Sequence, residues 1–433
     1  MQYETYKATS GEDTSRIHFQ ITPPIGGCTL KGDSLIMKLP LSVIITKGDG
    51  GNWATASTPF NKNNYGLAQF PFARVMEELT VLINGKHELK YAPSVYHHAL
   101  KSYTKLDDPK IQQEMPMPDI FSTFRGYTGS SGPTVNHPLY AHGSTAGFIS
   151  RATHYYRYAD YLDVNGNQTG TPTPTSRSEF VVMMPIPMKI FRNDIHNIMS
   201  IDVTCKLMSY ENLVYLFNTD LNLQGALNNA KFDFRFKAGY NPVPSCQALW
   251  SIPSDNVYYP VQRYRNKRYE YISVPSKGVI SDTNGSQSVR TDVFTFGRAR
   301  RMYIYTQLNP YATPSTVTAS QRTNLTSTFG VLTYLRLMVN AQTFFSGYDE
   351  HMLWQWCARK GYYHSFVNAR GGVSGINGYS TGAGTVLRID FPEDIKITDS
   401  NTVSADIAYM MTADRACYHN LYLVFEYDEE IEI

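Results

Sequence analysis

The sequence is poor in charge. Asp, Glu, Lys and Arg make up 18% of its 433 residues and leave a formal net charge of +2. A chain that binds polyanions along its length needs a concentrated basic excess, so that class is set aside. A hydrophobic share of 42% is too high for a disordered chain. No apolar run approaches the roughly 18 to 20 residues that a membrane-spanning helix needs. The opening "MQYETYKATSGEDTSR" is polar and lacks an apolar core segment, so no secretory signal is expected. The sequons at Asn167, Asn284 and Asn324 are then chance matches. The five cysteines, Cys28, Cys205, Cys246, Cys357 and Cys417, are far apart and form no CxxC pair. A thiolate zinc site is not expected, and the reading is free buried thiols in a reducing compartment.

Catalytic signatures are missing as well. There is no HExxH and no G-x-S-x-G elbow, and the glycines of "GGVSGINGYSTGAG" lack both dinucleotide spacing and a P-loop Lys. That stretch reads as an exposed loop. His87, His97 and His98 lie close in sequence, but adjacent helical residues point about 100° apart, so a shared metal is not expected. His351 has no second His three or four residues away. No catalytic, cofactor-binding or metal-ligating residue is expected, and no cofactor. The basic stretch "RYRNKRYEY" (263–271) interleaves cations with tyrosine, a pattern that can bind single-stranded nucleic acid. The favoured reading is the first strand of a second domain. The acidic end "EYDEEIEI" alternates as a half-exposed terminal strand would.

What the chain has in quantity is Tyr (32), Phe (21), Gly (30) and Pro (23). Tyrosine suits strands and contact surfaces, since its body is apolar and its tip wets. Alternating runs bounded by turn residues predict strands at "SLIMKLPLSVIIT" (34–46), "FVVMMPIPMKIF" (180–191), "MSIDVTCKLM" (199–208), "KFDFRFKAGY" (231–240), "KRYEYISVP" (267–275), "RMYIYTQL" (301–308), "TVLRIDFP" (385–392) and "NLYLVFEYDEEIEI" (420–433). Helices are few. "PSVYHHALKSYTK" (93–105) opens on a proline, "DEHMLWQWCARKG" (349–361) opens on an Asp cap and stops at Lys-Gly, and "TDLNLQGALNNAK" is weak.

The chain also repeats itself. "LTVLINGKHELKYAP" (79–93) resembles "LRLMVNAQTFFSGYD" (335–349), a shift of 335 − 79 = 256, and each copy precedes a helix candidate. "RIHFQITP" (16–23) resembles "RYEYISVP" (268–275), a shift of 268 − 16 = 252. "HNIMSIDV" (196–203) resembles "HNLYLVFE" (419–426), a shift of 419 − 196 = 223, which implies extra residues late in the first half. Turn-rich stretches at 125–148, 163–177, 309–328 and 368–385 read as long surface loops. The expectation is an all-β chain of two tandem eight-stranded jelly-roll barrels with a few short helices. Residues 1–245 form the N-terminal barrel, with long loops at about 125–177, and 246–433 form the C-terminal barrel. The Pro- and Ser-rich "NPVPSCQALWSIPSDN" (241–256) lies at the boundary, placed near 241–262.

"LTVLINGKHELKYAPSVYHHAL" resembles the strand, glycine-containing turn and helix of the double jelly-roll major capsid proteins of icosahedral DNA viruses. These occur in tailless phages, adenovirus-like and polinton-like elements and large eukaryotic DNA viruses. "FVVMMPIPMKIF" followed by "IMSIDVTCKL" resembles the paired strands late in that family's first barrel. The chain has Asn-Gly where two glycines are common, and Asn-Ala in the second copy, which leaves the virus group open. The resemblance implies a non-enzymatic shell protein that forms homotrimers of pseudo-hexagonal outline. It implies contacts with neighbouring capsomers and with penton and minor capsid proteins. An internal membrane is a further candidate contact, reached by the polar segment before Arg16, and no sequence-specific nucleic acid is implied. The protein would be made in the host cell without a signal peptide and end in the virion. Two alternatives stand beside it. A carbohydrate-active or glycan-binding β-sandwich protein, secreted or cytosolic, should show a signal peptide or facing carboxylates. A single jelly roll with a projecting domain would not repeat itself.

Overall fold

Alternating runs become strands that fall into two groups. A computed structural model describes residues 1–9, 16–46, 65–67, 73, 76–103, 157–159, 175–207, 214–216, 231–236, 244–253, 259–275, 287–308, 330–362, 365–370, 384–410 and 419–433. The first group comprises β1 (Gln2–Lys7), β2 (Arg16–Ile21), β3 (Thr29–Leu30), β4 (Ile36–Thr46), β5 (Tyr65–Leu67), β6 (Met76–Ile83), β7 (His87–Tyr91), β8 (Arg157–Ala159), β9 (Thr175–Pro185), β10 (Ile201–Leu207), β11 (Val214–Leu216), β12 (Lys231–Phe236) and β13 (Ser245–Ser251). One sheet runs β1-β13-β4-β9-β8, with β3 beside β13 and β12 beside β4. The facing sheet runs β2-β10-β6-β7, and β5 pairs with β11 in a small ribbon.

The second group comprises β14 (Arg263–Pro275), β15 (Gln287–Arg290), β16 (Phe294–Phe296), β17 (Arg301–Leu308), β18 (Val331–Val339), β19 (Gln342–Gly347), β20 (Leu387–Asp390), β21 (Asn401–Met410) and β22 (His419–Glu432). Its sheets run β14-β22-β17-β20 and β15-β21-β18-β19, with β16 beside β21. Numbered by principal strand, both groups read first-eighth-third-sixth and second-seventh-fourth-fifth, the jelly-roll order. All pairs are antiparallel.

Each barrel fills its inside with the apolar half of these alternating runs. In the first, Ile17, Phe19, Ile21, Val203 and Trp250 are essentially inaccessible. In the second, Leu335, Leu337, Val403, Ile407 and Leu423 are. Each such side chain contributes about 1.5–3 kcal/mol by leaving water. Helices are short: α1 (Pro93–Lys101), α2 (Glu350–Arg359), α3 (Phe366–Arg370) and α4 (Glu393–Ile397). The Asp349 side chain accepts from Met352 N at 2.7 Å and caps α2, and Gly361 takes φ +97° just beyond its end.

The turn that carries the repeat is the same device twice. Asn84 and Gly85 take φ +53° and +65°, and Asn340 and Ala341 take +49° and +61°. A tight hairpin needs left-handed backbone at both central residues.

Several expectations are corrected. "RIHFQITP" makes the second strand of its barrel, whereas "RYEYISVP" belongs to the first strand of the other. "HNIMSIDV" leads into a seventh strand and "HNLYLVFE" opens an eighth. Only the pair at shift 256 joins equivalent strands, β6 and β18, so the shorter shift of the third pair says nothing about inserted residues. Alternation reports that a strand is half buried, not where it sits in the sheet. "FVVMMPIPMKIF" and "IMSIDVTCKL" lie in opposite sheets and do not pair, and the former breaks after Pro185 into a 3-10 turn, Lys189–Arg192.

The segment before Arg16 does not reach away from the barrel throughout. Gln2–Lys7 pairs along β13. "NPVPSCQALWSIPSDN" is not all linker, because Cys246, Ala248 and Trp250 alternate into the core as β13. A division between residues 245 and 246 therefore cuts a strand. The loop stretches 125–148, 163–174, 309–328 and 371–383, the weak helix up to residue 230, Cys417 and the three sequons lie outside the described residues, while Thr175–Arg177 open β9 and 368–370 close α3.

Strand direction separates the connections. Second-to-third, fourth-to-fifth and sixth-to-seventh links gather at one end and are short: 22–35, 84–86 and 186–200 in one barrel, 297–300, 340–341 and 391–400 in the other. The opposite end takes the long ones, such as 309–330 and 348–386.

Candidate functional site

The feature that sets this chain apart from two barrels on a string is the seam between them. Strand β7 and α1 of the first barrel lie against the outward face of the sheet β14-β22-β17-β20. Leu89 and Tyr91 alternate inward along β7, and Pro93 then starts α1, whose Val95, Tyr96 and Ala99 are buried. Tyr96 packs on Tyr91 (5.2 Å between ring centres), Tyr269 (5.4 Å) and Tyr271 (5.7 Å). Its hydroxyl donates to the Tyr269 carbonyl at 3.2 Å. Tyr305 donates to the Val95 carbonyl, in the first turn of α1. Tyr103, just past the helix, donates to the Val386 carbonyl at 2.5 Å and packs on Tyr303 and Tyr362. Aromatic pairs of this kind add about 0.5–1.5 kcal/mol each beyond the area they bury.

Below the tyrosines the same face carries paired charge. Glu426, 2% exposed, meets Lys267 at 3.0 Å and Arg301 at 3.6 Å, and accepts from the Tyr303 hydroxyl at 3.1 Å. Asp390 meets Arg301, Arg388 and Lys360 at 3.0–3.3 Å. Burial pushes the Asp390 carboxyl up, but the hydrogen bond from Lys360 and the charges of Arg388 and Arg301 outweigh it and hold the group below its ordinary range. Burial raises the phenols of Tyr91, Tyr269, Tyr303 and Tyr305, so all stay neutral.

The second barrel grips back. The Tyr264 hydroxyl accepts from His196 N at 3.0 Å, and the Asn266 side chain accepts from Ile190 N at 3.4 Å. Asn197 donates to the Tyr259 carbonyl at 3.1 Å, and His196 stacks on the Tyr259 ring at 4.0 Å. Two clasps, one from each barrel, fix the pair as one body.

The residues singled out in the sequence fall as follows. His87 is half-buried on β7, His97 is buried in α1, and His351 lies on α2 beside Phe366 (5.2 Å). Among the described residues no group of three metal-ligating side chains occurs, and no helix is long and apolar enough to cross a membrane. The basic stretch is the first strand of the second barrel. Its cations face the acidic end of the chain: Arg263 meets Glu432 at 2.8 Å, Lys267 meets Asp428, and Arg268 covers the Tyr427 ring at 4.5 Å. Cys28, Cys205, Cys246 and Cys357 are free and buried, as expected, and burial pushes the Cys357 thiol up to about 12.

The seam itself was not foreseen. Its signal was there in "RMYIYTQL", where both alternating sets, Met302 and Ile304 on one side and Tyr303 and Tyr305 on the other, are large. Such a strand is covered on both faces.

No protein-family model matches the sequence, and no curated protein is similar to it. Solved structures are similar. A chain of the Sputnik virophage, determined by cryo-EM, superposes with a TM-score of 0.79 at 15% identity, covering 100% of this chain and 87% of that one. The mavirus major capsid protein superposes with a TM-score of 0.72 at 16% identity, covering 99% and 88%. The likeness takes in both barrels and their order, and the chain has the double jelly-roll fold.

Proposed function

We propose that the protein is a major capsid protein, a structural and non-enzymatic component of an icosahedral virion shell. The observation that carries this reading is the end-to-end fold similarity to the mavirus major capsid protein, 99% of this chain against 88% of that one. The seam supports it. A shell tile that presents two barrels to its neighbours must hold them at one angle, and the reciprocal clasps of α1 and the β14–β22 ribbon do so. The building unit is a homotrimer whose six barrels give a hexagonal outline. Its partners are neighbouring capsomers and penton and minor capsid proteins, and its place is the virion. The two domains divide within 252–262, after β13 and before β14.

Light scattering on the purified protein tests this. A stable species at about three times the 49.0 kDa chain mass is expected, and a monomer at every concentration would overturn the reading.

A further inference from the structure

Within the chain, one helix face on the first barrel covers one sheet face on the second. The same helix recurs on the second barrel, and there the face is exposed. Leu79 pairs with Tyr91 and Leu335 with Gly347, so the shift of 256 carries through the fifth strand into the helix. It sets Val95, Tyr96 and Ala99 on His351, Met352 and Gln355. These positions lie on one side of a helix. On α1 all three are buried, Tyr96 against Tyr269 and Tyr271 of the seam, whereas on α2 all three are exposed, Met352 by 43%. Tyr348, at the foot of α2, is 71% exposed and stands where the half-buried Ala92 stands in the first copy.

The receiving surface recurs too. The face that α1 covers is the outward side of a first-eighth-third-sixth sheet. Its counterpart in the first barrel is the outward side of β1-β13-β4. There Tyr3 (75% exposed) lies opposite Leu249, Thr5 opposite Gln247, and Gln247 opposite Ile36. Tyr3 and Thr5 stand on the first strand, as Tyr269 and Tyr271 do in the seam.

We propose that the bare face of α2, centred on Met352, docks on the outward face of β1-β13-β4 of a second copy of this chain, repeating between chains the contact that α1 makes within one. The contact is head-to-tail: the donor face and the acceptor face are on different barrels, so each chain gives one and takes one. Such a contact makes either a ring or an open filament. With the internal and external contacts equivalent, each barrel stands to the next as the first stands to the second, and in the homotrimer proposed above the ring closes after three chains. The proposal rests on the homotrimer read above and names the surface that builds it.

The test pairs a disruptive variant with a covalent one. Met352→Asp should raise the concentration at which the trimer dissociates by at least about tenfold, the effect of losing one well-packed anchor. Met199→Glu, at an exposed site on the short-loop end, should leave it unchanged. Chains carrying Met352→Cys together with Tyr3→Cys, Thr5→Cys or Lys7→Cys are oxidised beside the parent protein. At least one pair should give non-reducible-by-dilution bands of two and three chain masses and none larger. A trimer that tolerates Met352→Asp and yields no such bands would overturn this surface while the capsomer reading stands. A parent protein that is monomeric throughout would overturn both.

Discussion

Asn84 and Asn340 occupy the same position in the two barrels and tie the same two elements. The Asn84 side chain accepts from Met199 N (2.7 Å) and Ser200 N (3.2 Å) and donates to the Asn197 carbonyl (2.9 Å). The Asn340 side chain accepts from Thr402 N (2.9 Å) and contacts the Asn401 side-chain oxygen at 3.1 Å. Each stitches the fourth-to-fifth turn to the start of the seventh strand. Asn84→Ala should cost about 3 kcal/mol, the sum of left-handed strain and lost hydrogen bonds. Asn84→Gly keeps the backbone and should cost about 1 kcal/mol less, which denaturant titration resolves. Ala341 holds φ +61° with a side chain, so Ala341→Gly should stabilise by about 0.5–1 kcal/mol once the looser unfolded chain is counted. A loss of stability there would contradict the turn geometry.

Another residue sets a pH dependence. Burial holds the His419 imidazole neutral down to about 3, against 6.5 for an ordinary histidine. Below 6.5 the unfolded chain takes up a proton that the folded chain excludes, so stability falls as pH drops from about 6.5 toward 3. His419→Gln should flatten that slope in melts taken across the window. Asp390 and Asp428 act separately. Their carboxyls are held below the ordinary range, so what they contribute is present above about 3.9 and is lost only as pH falls further.

At the scale of elements, α1 is the wedge of the seam, and its energetics rest on packing rather than helix propensity. Tyr96→Ala removes a ring that touches three others and leaves a cavity, so a loss of about 3–5 kcal/mol is expected. Tyr96→Phe gives up only the hydroxyl's bond to the Tyr269 carbonyl and should lose about 1 kcal/mol. If the seam fixes the barrels, Tyr96→Ala should also expose the 252–262 link to protease while Tyr96→Phe does not. Equal cleavage of both variants would contradict that role. The elements were legible unevenly. Strands β4, β10, β17 and β22, α1 and the Asp349 cap stood out because strong alternation or a cap residue marks them locally. β1 and β13 did not, since "QYETYK" is polar for an edge strand and "SCQALWS" is hidden among prolines. β21, "NTVSADIAYM", alternates around small residues, Ala405 among them, that give little contrast.

At the scale of the molecule, the two-barrel architecture was readable from one turn-and-helix repeat, while the strand equivalences drawn from the other two pairs were not. A half-buried strand keeps the same alternation wherever it sits in a sheet, so only a feature that needs special backbone, such as Asn84-Gly85 against Asn340-Ala341, keeps its register across copies. The seam was illegible for a related reason: sequence tells which strands are covered on both faces but not by what. From it comes the proposed assembly rule, that a contact made once inside the chain is made again between chains. Imaging the purified protein by electron microscopy tests that rule most directly. A particle of three chains with six lobes in a hexagonal outline, alternate lobes differing, is expected. Isolated two-lobed particles, or open strings of lobes, would contradict it.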